Sequence, residues 1–183
     1  IVFDKACSNY IPNGVLNQVM YANMQALQGP AYTEGEQQAA RRMWDAISAD
    51  DIDNAGKNLG AVLRNPTPLF SGVAPYEPGK HEISYGSTDV GDVSWVTPTA
   101  QCWGACYAYG TPFHSWQMVA QGKLSLAHKG MVHAAKIIAA TAADLYGQPE
   151  ALARARQELL EMRRGQPYVC PIPADVVPSF MRK

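Results

Sequence analysis

The chain has 183 residues, 47% of them hydrophobic and 17% charged, a composition that folds rather than staying disordered, in one ordinary domain or one domain and a fragment of a second. Fifteen basic and sixteen acidic residues leave a formal net charge of -1, so no global field draws in nucleic acid or an anionic membrane. The longest apolar run, around residues 137–143, falls far short of a bilayer span, and no basic-then-apolar signal opens the chain, which reads as cytoplasmic.

The first residues, Ile1-Val2-Phe3-Asp4, form an apolar strand-like run without a Met, as if cut into a sheet, and the expectation is a fragment. The turn formers of residues 8–14 end that strand. A helix follows, with Val15, Val19 and Ala26 at helical spacing and Leu16, Met20, Met24 and Leu27 widening the stripe, until Gly29-Pro30 stops it. Thr33 with Glu36 makes a capping box for a second helix over roughly residues 34–49. Asp50, Asp51 and Asp53 lack the Gly and terminal Glu spacing of a calcium loop and read as a solvated turn. Residues 65–79, with four prolines, predict an ordered loop that packs through Leu69, Phe70 and Tyr76.

The span GSTDVGDVSWVTPTAQCWGACYAYGTPFH, residues 86–114, joins a Gly-Ser-Thr-Asp turn, short apolar runs and a Gly-Thr-Pro-Phe-His turn, in the manner of loops that line sites on an α/β scaffold. Residues 81–85 and 93–96 are short strand candidates. Residues 100–109 give the clearest strand, with Gln101, Trp103, Ala105, Tyr107 and Tyr109 on one face. Cys102, Gly104, Cys106 and Ala108 make a small face suited to lie under a helix or another backbone. In such a strand Cys102 and Cys106 are about 13 Å apart, at roughly 3.3 Å per residue, too far for a disulfide or for joint chelation. With Cys7 and Cys170 scattered, all four thiols are expected reduced.

The longest helix is predicted from residue 124 or 125 to 145, with Ala127, Met131, Ala134, Ile138, Ala142 and Leu145 buried and Lys129, His133, Lys136 and Asp144 polar. Pro149 then starts a charged helix that Gly165 terminates, and a proline-rich tail follows.

His114, directly after a strand-ending turn, stands where open α/β sheets place their sites, as a metal ligand, as a base, or as a hydrogen-bonded loop histidine. Asp89 and Asp92 are carboxylates that either orient a ligand histidine or cap turns through their own backbone. His128 reads as a satisfied core residue and His133 as solvated, while Arg41, Arg42 and Lys80 read as solvated charges. Ser87 and Ser115 lack a Gly-X-Ser-X-Gly context. No HEXXH, His-X-Asp or Glu-Glu motif supplies the rest of a catalytic metal set.

Phe3-Asp4-Lys5-Ala6-Cys7-Ser8-Asn9 with Ile11-Pro12-Asn13, the run from Gly86 to Gln117, and Ala127-His128-Lys129-Gly130-Met131 together resemble the C-terminal part of the zinc amidohydrolases related to aminoacylases and dimetal carboxypeptidases. The resemblance covers most of the chain. It implies an α/β fold: a partial zinc-exopeptidase-like catalytic domain, sheet strands flanked by helices, over residues 14–183, with the end of an inserted lid or dimerisation domain over residues 1–13. It also implies a Gly-Ser-Glu-Asp-Phe run before the site, where this chain has Gly86-Ser87-Thr88-Asp89-Val90. His114 matches the family's last metal-binding histidine, and Thr88, Asp89 and Asp92 fall at substrate-binding or ligand-orienting positions. The implied cofactor is zinc or manganese, two divalent ions in the complete protein, with the other ligands and the catalytic glutamate upstream of Ile1. The implied reaction is hydrolysis of an N-acyl or aminobenzoyl amino-acid amide such as aminobenzoyl-glutamate by metal-activated water. The implied partners are that small-molecule amide, the upstream part of the same protein and further subunits, as a homo- or hetero-oligomer. The rival expectation is a self-contained, non-catalytic α/β binding or interaction subunit.

Overall fold

The structure, a computed structural model, describes residues 3–58, 66–80 and 86–177. The strand candidate at residues 81–85, which contains His81, lies outside them. Seven helices appear in chain order: α1 (Gly14–Leu27), α2 (Glu34–Trp44), α3 (Ala49–Asn58), α4 (Val90–Val96), α5 (Trp116–Gln121), α6 (Ser125–Gly147) and α7 (Pro149–Arg163). Among the described residues there is no strand, so the expected α/β fold with its flanked sheet is overturned.

Two segments carry that correction. Residues 93–96 are the end of α4, not a strand. The helix turns because Ser94, fully buried, bonds back to the Gly91 carbonyl at 2.6 Å, and it stops because Pro98 forces Thr97 into extended backbone, φ -144 and ψ 147. Residues 100–109 alternate large and small side chains as a strand does, yet their backbone groups bond elsewhere. Ala108 N–H donates to the Gln121 side chain at 2.7 Å, Tyr109 N–H to the Pro68 carbonyl at 2.9 Å, and the Ala105 carbonyl accepts the Tyr32 hydroxyl. A segment so satisfied has no ladder left to form. The strand-based separation of Cys102 and Cys106 therefore lapses.

The described chain forms two compact units, and α1 and α6 contribute to both. The first holds the ends of the chain with residues 78–101. Here α7 buries Ala151, Ala155 and Leu159. Asn13, 2% exposed, caps α1 by accepting the Leu16 N–H at 3.0 Å and donates to the Ala155 carbonyl at 2.9 Å. Glu158 accepts the Gly14 and Val15 N–H groups at 2.8 and 3.0 Å, so the start of α1 meets a negative charge. Ile11 donates its N–H to Ser94 at 2.8 Å.

The second unit comprises residues 19–77 and 102–144. Ala40, Ile47, Leu69, Ala108 and Leu126 are its buried cluster, with Tyr32, Met43, Trp44 and Ile52 packed on it; fully burying a side chain such as Leu126 contributes about 2 kcal/mol. Thr33 and Glu36 form the expected capping box, but α2 ends at Trp44. Asp50 and Asp51 are not a turn; they occupy the first turn of α3, where their charge suits the helix dipole and Ser48 bonds the Asp51 N–H at 3.1 Å. The loop after residue 65 packs as expected, with Leu69 buried and Tyr76 against Tyr21 at 5.5 Å.

α6 buries Leu126, Gly130, Ile137 and Thr141, while Met131 and Ile138, expected inside, are 60% and 57% exposed. Nearly every position of this helix is apolar or small, so its sequence does not set which face turns inward.

Candidate functional site

The loop that carries His114 is built from its supports outward. Gln121, 1% exposed on α5, accepts the Ala108 N–H through Oε1 and donates through Nε2 to Thr111 Oγ1 at 3.0 Å and to the Gln117 carbonyl at 3.1 Å. Thr111 in turn donates its hydroxyl to the Ala108 carbonyl at 2.5 Å. From below, α6 meets the loop closely: a Cβ on Gly130 would lie 2.5 Å from the Ala105 carbonyl oxygen and 2.9 Å from Cys106 Cα. The small residues of this segment do face a helix, without being a strand.

Held in this way, the turn leaves Gly110 at φ 81 and then His114 at φ 58, in the left-handed region that few non-glycine residues adopt. His114 is exposed. Ser115 follows as the N-cap of α5, accepting the Met118 N–H at 3.2 Å, so its hydroxyl is spent on the helix start. Three aromatic rings surround this stretch: Trp103 and Phe113 at 5.8 Å between centroids, and Tyr107 edge-on to Phe113 at 6.0 Å. Sequence reasoning placed Trp103 and Tyr107 on a strand face and missed this cluster, which the strand assignment hid.

Burial raises both the Cys102 and Cys106 thiols, and Cys106 raises Cys102 further. Both are therefore held protonated and are poor nucleophiles or ligands. Tyr32 is pushed up to about 12 by burial, with Cys106 and Glu36 adding to it.

A cleft of about 500 Å³ in the same unit is lined by Pro30, Ala31, Glu36, Ser125, Lys129 and His133, among others. Lys129 pairs with Glu36 at 2.7 Å and His133 Nε2 donates to the Gln28 carbonyl at 2.5 Å. His128, expected in the core, is exposed on the same cleft.

Thr88, Asp89 and Asp92 belong to the first unit, grouped at the start of α4. Thr88 accepts the Val90 N–H at 3.3 Å through its hydroxyl and the Gly91 N–H through its carbonyl. Asp89 is the N-cap residue without a side-chain capping bond. Asp92 accepts the Ser8 hydroxyl at 2.6 Å, the Ser8 N–H at 3.2 Å and the Tyr168 hydroxyl at 3.1 Å. The Ser8 bonds hold its carboxyl below the usual range, and burial followed by Asp92 pushes Tyr168 up to about 12. Asp92 thus ties the N-terminal segment to the C-terminal tail within this unit.

Among the described residues no three His, Cys, Asp or Glu side chains gather into a group able to hold a metal ion. These residues by themselves do not fit a complete metal centre. No helix among them is long and apolar enough to cross a membrane.

Across 190 aligned residues, 98% of its length, the chain is 41% identical to one of the subunits of the p-aminobenzoyl-glutamate hydrolase of Escherichia coli strain K12. The match falls on a C-terminal portion of that relative, and the chain spans 39% of the relative's length. This likeness supports the resemblance to amide hydrolases drawn from the motifs. No family model matches the chain, and no solved structure matches it.

Proposed function

We propose that the chain is the C-terminal part of a metal-dependent amidohydrolase that cleaves the amide bond of an N-acyl or aminobenzoyl amino acid, aminobenzoyl-glutamate foremost. The observation that carries this reading is the 41% identity running along 98% of the chain to a subunit of a p-aminobenzoyl-glutamate hydrolase. In this reading His114 is the one metal ligand the chain supplies, presented on an exposed left-handed turn that Gln121 and Gly130 brace. Zinc or manganese is the proposed cofactor, and the other ligands and the proton-carrying glutamate are assigned to the portion of the full-length protein outside these 183 residues. A partner polypeptide is part of the proposal, since the relative is named as one subunit of its enzyme.

The test uses the full-length protein with its partner and added zinc or manganese. Hydrolysis of aminobenzoyl-glutamate is expected, and His114→Ala is expected to lower bound metal and abolish turnover. Unchanged metal content and rate in that variant would remove His114 from the site.

A further inference from the structure

Trp103 and Phe113 stand 68% and 57% exposed, yet they are ordered against each other, with their planes 33° apart, and Tyr107 meets Phe113 at 79°. Edge-on contact with a half-buried tyrosine fixes how the Phe113 ring is turned, and the open ring faces beside it are a flat apolar surface that water wets poorly. Phe113 is also the covalent neighbour of His114, so the two residues share the strained turn.

We propose that this row of rings is the aryl subsite of the enzyme, and that Trp103 and Phe113 make it favour an aromatic acyl group over an aliphatic one. The inference rests on the amide-hydrolase reading and adds to it which side of the substrate these 183 residues meet. In an aminobenzoyl amide the ring is bonded directly to the scissile carbonyl carbon. An aryl subsite therefore has to begin within one residue of the group that acts on that carbonyl, and consecutive Cα atoms are only about 3.8 Å apart. Phe113 beside His114 meets that requirement, and Trp103 extends the surface outward. The amino-acid side of the substrate, being charged, gains nothing from such rings.

The experiment compares aminobenzoyl-glutamate with acetyl-glutamate in the full-length protein and its partner, for the wild type, Trp103→Leu and Phe113→Leu. Both replaced rings are exposed, and an unchanged melting temperature verifies that each variant folds. The expected result is a fall of about 10-fold or more in kcat/KM for aminobenzoyl-glutamate, with acetyl-glutamate altered less than about 3-fold. Equal losses on both substrates, or no loss on either, would overturn the subsite. Equilibrium dialysis with 4-aminobenzoate separates the two claims. Should the wild type cleave neither amide yet bind 4-aminobenzoate in a way that Trp103→Leu abolishes, the subsite stands and the hydrolase reading falls. Absence of both cleavage and binding overturns both.

Discussion

The Lys129 ammonium lies 2.7 Å from the Glu36 carboxylate, which also accepts the Thr33 N–H at 2.7 Å, so one acidic group joins α6 to the capping box of α2. Lys129, foremost, and the Thr33 backbone N–H hold the Glu36 carboxyl at about 2, below its usual 4.5. A carboxylate with a depressed pKa adds stability that is complete above the unfolded value and is lost as pH falls through the folded one. The melting temperature is expected to fall between pH 4.5 and 2. Glu36→Gln, less stable at neutral pH, should flatten that limb. An acid limb of the same steepness in the variant would show that other carboxylates set it.

Gln121 closes three hydrogen bonds inside the loop support, and a leucine of similar size closes none. Gln121→Leu leaves the Ala108 N–H buried without its acceptor, at a cost of about 1–3 kcal/mol. Denaturant unfolding measures the loss. Turnover of the full-length enzyme should fall with it, because the His114 turn hangs from that support.

Two glycine-to-alanine changes in helices should have opposite signs. At Gly35 nothing stands within 4 Å of a new Cβ, so alanine is expected to stabilise α2 by about 0.5 kcal/mol through propensity. At Gly130 the new Cβ meets backbone at 2.5 and 2.9 Å, and the required shift should outweigh propensity, leaving a net loss of about 1–3 kcal/mol. Paired thermal melts check both. A stabilised Gly130→Ala would mean that the 102–109 segment gives way easily.

His114→Gly tests whether the left-handed turn is kept for function. Glycine adopts φ 58 freely, so the fold should be no less stable and is expected to gain up to about 1 kcal/mol. Turnover in the full-length protein should nevertheless vanish. A marked drop in melting temperature would instead assign the imidazole a structural role.

Local chemistry made α1, α2, α6 and α7 legible in the sequence alone. Gly29-Pro30, the Thr33 and Glu36 pair, Pro149 and Gly165 act through backbone geometry and hydrogen bonds a few residues away, and the helices start or stop near them. His114 was legible as a candidate for the same reason, since a Gly-Thr-Pro turn announces a sharply bent loop. The strands were a different matter. A strand exists only with a partner edge, and the alternation of residues 100–109 is silent about partners. The structure gave those backbone groups to Gln121, Pro68 and Tyr32, far along the chain. The buried face of α6 and the ring cluster of Trp103, Phe113 and Tyr107 depended on the same long-range placement. Caps and turns are short-range and survive reading from sequence, whereas ladders, helix phase and clustered rings are decided by which distant segments arrive against them.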